Sequence, residues 1–154
     1  MLIRWVTERD IDAWRALSSE HDDVISPVQP DIGEWYSGFE SYMARKIVQH
    51  EAVAATNQAA SLLGAIAFSR AGNRITFFAV SKSADFHETA QKLLAFALRQ
   101  LDTGKTISVN VPKSEHEIAL AEKAFFERNG FVIYDGNALE NGCPVLALAR
   151  PPSD

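Results

Sequence analysis

Residues 75–101 have the types and spacing needed to bind a phosphate group. Residues 75–80 form a β-branched and aromatic run without charge, Gly or Pro, which predicts a strand. After a polar turn, apolar residues recur at three- and four-residue steps, which predicts a helix that ends before Gly104. The first turn of a helix offers free backbone N–H groups and the positive end of the helix dipole, and phosphate binds well there. We therefore expect the active site at the junction between Val80 and Phe86.

The other residues capable of chemistry form no recognisable constellation. His21, His50 and His116 are scattered, with no pair at metal-ligand spacing on one helix, so we predict no metal site. Cys143 is the single cysteine, which excludes a disulfide framework and a cysteine-based metal centre. The acidic cluster at residues 20–23 is interpreted as a solvated loop, with recognition of a cationic amine as the less favoured alternative.

Length and composition indicate a single domain, 1–154. Of the 154 residues, 47% are hydrophobic and 23% charged, and the formal net charge is −5, which are ordinary values for a globular protein. A nucleic-acid-binding protein usually has a basic face, so we expect no nucleic-acid partner. No apolar run approaches the length of a membrane span, and the N-terminal residues lack a signal-peptide pattern. We expect a cytoplasmic protein with no membrane association, either a monomer or a homodimer.

Patterns along the chain predict seven strands and four helices. Thr7 with Asp10 is typical of a capping box at the first helix, and Ser114 with Glu117 at the last helix. The predicted strands are 2–6, 51–55, 62–69, 75–80, 106–111, 131–134 and 145–149.

The order β-α-α-β-β-β-α-β-α-β-β predicts an α+β fold, with a mixed and largely antiparallel sheet that carries helices on both faces. Because a full helix connects the fourth and fifth strands, these two strands are predicted to be parallel neighbours.

This order and two local motifs resemble the GNAT superfamily of acyl-CoA-dependent N-acyltransferases. The first family motif reads roughly L-A-V-x-P-x-x-[RQ]-x-x-G-x-[GA]-x-x-L-L, and it aligns without a gap with residues 78–80, 85–90 and 93–94. The second motif is a helix that ends in an aromatic pair and Gly-Phe, which here is AFFERNGF at residues 124–131. The resemblance covers almost the whole chain.

The resemblance implies an N-acetyltransferase that transfers an acetyl group directly from acetyl-CoA to the amine of a small molecule. It implies that the fourth and fifth strands splay apart, that the fourth strand pairs with the pantetheine arm, and that a backbone N–H near residues 78–80 polarises the thioester carbonyl. The expected cofactor-binding residues are Phe78, Ala79, Val80, Phe86, His87, Glu88, Thr89, Ala90, Gln91, Asn110 and Phe126.

Departures from the family pattern affect the diphosphate-binding loop and the proton donor. Asp85 and Glu88 replace the basic or amide residue and the glycine of the diphosphate-binding loop, and a carboxylate repels a phosphate by ~1 kcal/mol at ~4 Å in bulk water. Phe126 replaces a tyrosine that protonates the leaving thiolate in many members. The alternative hypothesis is therefore a catalytically weak or inactive GNAT-like module that binds CoA, another ligand or a protein partner.

Without that tyrosine, proton transfer has to be assigned to other residues. We predict Tyr134 as the general acid, with Cys143 or solvent as alternatives, because a thiol pKa near ~8.5 makes the CoA thiolate a tolerable leaving group. The general base is predicted to be a carboxylate that acts through water. Its unranked candidates are Asp22, Asp23, Asp31 and Glu34.

Overall fold

The chain folds around one seven-stranded sheet, and the predicted order of elements is confirmed. The structure, a computed structural model, describes residues 1–20, 32–59 and 61–153, with the backbone alone for residues 32–37. The strands are β1 (Leu2–Trp5), β2 (Ala52–Thr56), β3 (Leu62–Ser69), β4 (Arg74–Val80), β5 (Ile107–Pro112), β6 (Val132–Glu140) and β7 (Cys143–Arg150). The helices are α1 (Ile11–Ser19), α2 (Ile32–Gln49), α3 (Phe86–Gln100) and α4 (Glu117–Arg128), and a short 3-10 turn, Glu8–Asp10, precedes α1. Among the described residues, none of the helices is both long enough and apolar enough to cross a membrane.

The sheet has the order β1-β2-β3-β4-β5-β7-β6. All neighbours are antiparallel except β4 and β5, which are parallel. The antiparallel neighbours β2 to β4 are joined by short connections, whereas α3 carries the chain back to the same end of the sheet before β5 begins. The prediction of a mixed sheet with one parallel pair is therefore confirmed.

β4 and β5 are paired only near the beginning of each strand. Their register consists of Arg74 with Ser108 and Ile75 with Val109, whereas β5 pairs with β7 over all of residues 107–112. β4 in turn remains paired with β3 to its last residue. The two parallel strands thus diverge towards their carboxyl ends, as the resemblance implied, and leave a gap that we call the β4–β5 opening.

Alternate residues of the sheet build two cores, one on each face. Large side chains such as Ile66 and Phe68 pack with Leu93 of α3 and with residues of α4. The intervening sheet positions are mainly alanines, which point to the other face and pack with α1 and α2. Because alanine leaves space above the sheet, the large rings of Trp14 and Phe39 fill this second core, with their centroids 5.8 Å apart.

The predicted capping box of Thr7 and Asp10 is confirmed, at the short 3-10 turn that leads into α1. The Asp10 carboxylate accepts the backbone N–H of Thr7 at 2.8 Å and receives two hydrogen bonds from the Arg4 guanidinium at 2.7 and 2.8 Å. This bidentate pair holds the pKa of the Asp10 carboxyl below its ordinary value. The three residues together fix the connection between β1 and α1.

The predicted capping box at the last helix was wrong. The N-cap of α4 is His116, whose Nδ1 accepts the backbone N–H of Ile118 at 3.1 Å. The Ser114 hydroxyl oxygen accepts the N–H of His116 at 3.0 Å instead of capping the helix. An imidazole nitrogen therefore replaces the expected serine oxygen as the cap.

The last two strands are longer than predicted. β6 and β7 meet at a two-residue turn, Asn141 and Gly142, in which both residues have positive φ (51° and 81°). The longer hairpin makes Cys143 the first residue of β7, where it is buried, whereas the predicted strand 145–149 left it outside.

Candidate active site

A cavity of about 120 Å³ lies at the β4–β5 opening. Its walls come from β4, β5, α4 and the β6–β7 hairpin, with one residue of α1. The lining residues are Ser18, Ile75, Thr76, Phe77, Phe78, Ala79, Val109, Asn110, Pro112, Glu122, Phe126, Glu140, Cys143, Pro144 and Val145.

Aromatic rings join β4 to α4 at this cavity. Phe78 stacks on Phe125 with a centroid separation of 5.7 Å and meets Phe126 edge-on at 5.1 Å. Phe126 also contacts Phe131, which follows α4, at 5.2 Å. Phe125, Phe126 and Phe131 are buried, and Phe126 is the member of this group on α4 that lines the cavity. The cluster gives the cavity one rigid apolar wall.

Glu122 is a buried carboxyl group at this cavity that the sequence analysis missed. It lies one helical turn before Phe126 on α4 and is 5% exposed. Burial raises the pKa of its carboxyl to about 8, because the charged form loses its hydration. The sequence carried one signal: Ala119, Glu122 and Phe126 follow the three- and four-residue steps of a single helix face.

A charged group lies where the β6–β7 hairpin meets β5. Glu140 accepts a hydrogen bond from Asn110 Nδ2 at 3.5 Å and pairs with Arg74 at 3.8 Å. Cys143 lies opposite Glu140 in the hairpin. Burial raises the pKa of its thiol, and the Glu140 charge raises it further. Cys143 is therefore a neutral thiol at neutral pH, which makes it a weak nucleophile.

Two hydroxyl groups reach the cavity from α1 and β4. The Thr76 hydroxyl is hydrogen-bonded to the Tyr42 hydroxyl, which ties α2 to β4, and burial raises the pKa of Tyr42. The Ser18 hydroxyl is buried and has no hydrogen-bond partner among the described residues. A bound molecule with a polar group would satisfy it.

The helix terminus expected to bind phosphate has a carboxylate as its cap. Asp85 is the N-cap of α3, and its side chain accepts the backbone N–H of Glu88 at 2.9 Å. The N–H of Thr89 donates to the Asp85 carbonyl at 3.1 Å as the first bond of the helix. The N–H groups of Phe86 and His87 are first-turn amides, for which a helix offers no internal acceptor. These two amides are the part of the terminus that remains suited to an anion.

A second carboxylate binds the loop between β4 and α3. Glu20, at the end of α1, accepts the backbone N–H of Lys82 at 3.1 Å and the Ser81 hydroxyl at 3.3 Å. Two carboxylates of the protein, those of Glu20 and Asp85, therefore already accept backbone N–H groups at this loop and at the start of α3. An external phosphate at this loop would have to accommodate or displace one of them.

The structure brings some, and not all, of the predicted residues together. Phe78, Ala79, Asn110 and Phe126 line the cavity. The other predicted cofactor-binding residues lie at the end of β4 or in the first two turns of α3: Val80, Phe86, His87, Glu88, Thr89, Ala90 and Gln91. The side chains of Thr89 and Ala90 are fully buried. Tyr134, the predicted general acid, is 64% exposed on the edge strand β6 and outside the cavity lining, so its role stays a prediction.

The predicted general bases are not located by the structure. Asp22, Asp23 and Asp31 lie outside the described residues, and Glu34 belongs to the part of α2 whose side chains are not described. Within the described parts of the chain, no group of three His, Cys, Asp or Glu side chains is arranged to hold a metal ion.

Comparison with known families gives the class of this protein. Residues 25–149 match the family model described as an acetyltransferase (GNAT) domain. Because this match spans most of the chain, the protein belongs to the GNAT family and is an N-acetyltransferase. A comparison with curated proteins found no match.

Solved structures share the fold at low sequence identity. Ard1 from Thermoplasma volcanium is 16% identical with a TM-score of 0.71, covering 99% of this chain and 98% of that chain. A putative phosphinothricin N-acetyltransferase is 18% identical with a TM-score of 0.63, covering 99% of both chains. A chain of the NatC complex bound to Gag peptide and CoA is 14% identical with a TM-score of 0.68, covering 99% of this chain and 98% of that chain. These similarities support the GNAT fold.

Proposed function

We propose that this protein transfers an acetyl group from acetyl-CoA to the amine of a small molecule by direct attack of the amine on the thioester. The observation that carries the proposal is the cavity at the β4–β5 opening, whose lining residue Phe78 contacts Phe86 in the first turn of α3, with the ring centroids 6.4 Å apart. The opening supplies a place for an extended arm and the helix terminus supplies a place for a diphosphate.

The cofactor arm is assigned to the edge of β4 that faces the opening. Beyond Ile75, this edge has no strand partner on the β5 side among the described residues. Amide groups of a pantetheine arm would pair there as a neighbouring strand does. The diphosphate would then lie near the N–H groups of Phe86 and His87.

A small acceptor is favoured by the size and charge of the cavity. Its volume of about 120 Å³ is below the ~300–1,000 Å³ of sites that enclose drug-sized ligands, and the thioester end of the cofactor would occupy part of it. Glu140, whose contact with Arg74 is long at 3.8 Å, places a carboxylate at its wall, and the Ser18 hydroxyl adds a polar group. A protonated amine of low molecular mass fits both features.

Direct transfer is favoured over a covalent acetyl-enzyme. A cysteine intermediate requires a thiolate, and Cys143 is the only cysteine. The pKa of its thiol is raised, which lowers the thiolate fraction at neutral pH.

Calorimetry followed by a thiol-release assay tests the proposal. We expect acetyl-CoA to bind, and free thiol to appear when a panel of polyamines and amino acids is added. A peptide with a free N-terminus serves as the comparison acceptor. Absence of acetyl-CoA binding would overturn the cofactor assignment, and turnover with the peptide alone would overturn the small acceptor.

A further inference from the structure

Glu122 occupies a position in the cavity that the proposed function leaves without a role. It lies on α4 one turn from Phe126, and both residues line the cavity at the β4–β5 opening. A carboxyl group is rarely buried on the apolar face of a helix, since burial penalises its charged form. Among the described residues, the other ionisable groups that line this cavity are Glu140, which is half-exposed and paired with Arg74 at 3.8 Å, and the buried Cys143.

We propose that Glu122, as a neutral carboxylic acid, donates a proton to the thiolate of CoA as it leaves. This inference rests on the proposed function, since it assumes that the thioester lies in the β4–β5 opening. Glu122 would then protonate the leaving thiolate, which Phe126 cannot do because its side chain has no acidic proton.

A single carboxyl group is sufficient for the proton transfers of the reaction, because it gives one proton and receives one back. The bound ammonium first releases one proton to water, and the lone pair of the resulting neutral amine attacks the thioester carbonyl carbon. A C–N bond then forms, and the C–S bond breaks with its electron pair on sulfur. The Glu122 hydroxyl gives its proton to that sulfur, which yields the CoA thiol and a Glu122 carboxylate. The amide nitrogen releases one proton, which restores the neutral carboxylic acid directly or through water. The net change is an amine and acetyl-CoA converted into an amide and CoA.

The other candidate donors fit the structure less well. Tyr134 is exposed and outside the cavity lining. Cys143 lines the cavity, but its thiol pKa is raised from 9.0, so it holds its proton more tightly than a CoA thiol of pKa ~8.5 does. The pKa of Glu122 is about 8, close to that of the group to be protonated, and such a match favours proton transfer.

Enzyme kinetics on the full chain test the proposal, using an acceptor from the thiol-release panel. Glu122→Gln keeps the size of the side chain and removes the acidic proton. We expect kcat to fall by about 100-fold or more, with the KM for acetyl-CoA changed by less than about threefold. Glu127→Gln is the matched control, because Glu127 is exposed on the same helix and pairs with Lys123 at 3.1 Å. A Glu122→Gln enzyme with the kcat of the control would overturn the proposal.

The pH profile separates an acid from a base at this position. A donor that must be protonated makes kcat fall as the pH rises through about 8 in the wild type, and Glu122→Gln should lack this descending limb. Cys143→Ser should retain it. A wild-type kcat that rises through the same range and levels off, with that rise lost in Glu122→Gln, would identify a general base and overturn the proposal.

Infrared spectroscopy of the carboxyl group gives a test that needs no acceptor and no turnover. The wild type should show the carbonyl band of a protonated carboxylic acid that is absent in Glu122→Gln and shifted in Glu122→Asp. Addition of CoA should shift this band if the sulfur lies against Glu122. Binding of CoA without any change in the band would overturn this inference and leave the proposed function intact, whereas absence of CoA binding would overturn both.

Discussion

Glu122 combines a titratable group with nearly complete burial, and this combination ties the pH dependence of stability to the candidate site. A buried carboxyl group avoids most of the cost of desolvation by keeping its proton. The same packing that fully buries Phe125 and Phe126 on this helix therefore maintains an acid at neutral pH.

The free energy of unfolding of the wild type should depend on whether Glu122 is protonated. Between pH 4.5, the ordinary glutamate value, and about 8, the folded protein holds a proton on Glu122 that the unfolded chain has lost. The contribution of Glu122 to the free energy of unfolding is therefore complete below pH 4.5 and is lost as the pH rises to about 8. We expect Glu122→Gln to remove this decline, so that urea unfolding at pH 5, 6.5 and 8 shows an advantage of the variant that grows with pH to a few kcal/mol. Parallel profiles for the two proteins would contradict the raised pKa.

Asp85 should limit the affinity for acetyl-CoA. Its carboxylate caps α3 at the terminus assigned to the diphosphate, and Asn is an equally good N-cap without the charge. We expect Asp85→Asn to bind acetyl-CoA about fivefold more tightly, corresponding to ~1 kcal/mol of removed repulsion, in isothermal titration calorimetry. Glu117→Gln, which removes an exposed first-turn carboxylate from α4, is the control and should leave the affinity unchanged. Weaker binding by Asp85→Asn would argue against a diphosphate at this terminus.

At the scale of elements, the position of α3 depends on close contact with the sheet. Gly64 on β3 faces this helix, and a Cβ atom added there would lie 2.9 Å from the Ala79 carbonyl oxygen and 3.1 Å from side-chain atoms of Thr89 and Leu93. The backbone oxygen belongs to β4, beside the cavity. The spacing between β3, β4 and α3 therefore leaves no room for a side chain at this residue.

Gly64→Ala is predicted to destabilise the protein. Overpacking of this kind costs ~1–3 kcal/mol, and the displacement of α3 should also weaken acetyl-CoA binding. Gly38→Ala is the matched control: Gly38 lies within α2, with nothing within 4 Å of an added Cβ, so alanine should stabilise by ~0.5–1 kcal/mol through helix propensity. Urea unfolding of both variants measures the difference, and equal stabilities would show that α3 adjusts without cost.

At the scale of the whole molecule, the sheet is continuous except where β4 and β5 diverge. The rest of the sheet is held by paired strands on either side of the opening. A ligand that enters the opening would therefore act as an additional strand between two otherwise stable halves of the sheet.

Hydrogen exchange should reveal this local effect. We expect acetyl-CoA to slow exchange of those amides in residues 76–80 of β4 that point into the β4–β5 opening, and of the amides of residues 86–87 of α3, because these amides gain acceptors. β6 lies at the edge of the sheet, beyond β7, and its exchange should not change. Mass spectrometry of peptides from the full chain gives the measurement, and protection confined to β6 would contradict the location of the cofactor.

Local sequence patterns were sufficient to predict most of the helices and strands. The apolar run of β4 and the three- and four-residue steps of α3 depend on neighbours in the chain, and both elements were predicted within one residue of their observed ends. β6 was predicted too short because it is an edge strand with mostly exposed residues and two irregularities in its register. Its polar residues, such as Asp135 and Asn137, carry no alternating hydrophobic pattern that would predict a strand.

The sequence alone determined the order of the elements, the parallel β4–β5 pair and the helix terminus next to it, because strand and helix periodicity and connection length are local properties. Only the tertiary structure decided which side chains share the cavity. It brought Glu122 of α4, Asn110 of β5 and Cys143 of β7 to one place and left Tyr134 in solvent. The physical reason is that burial, and with it the protonation of a carboxyl group, depends on packing between elements that are distant along the chain.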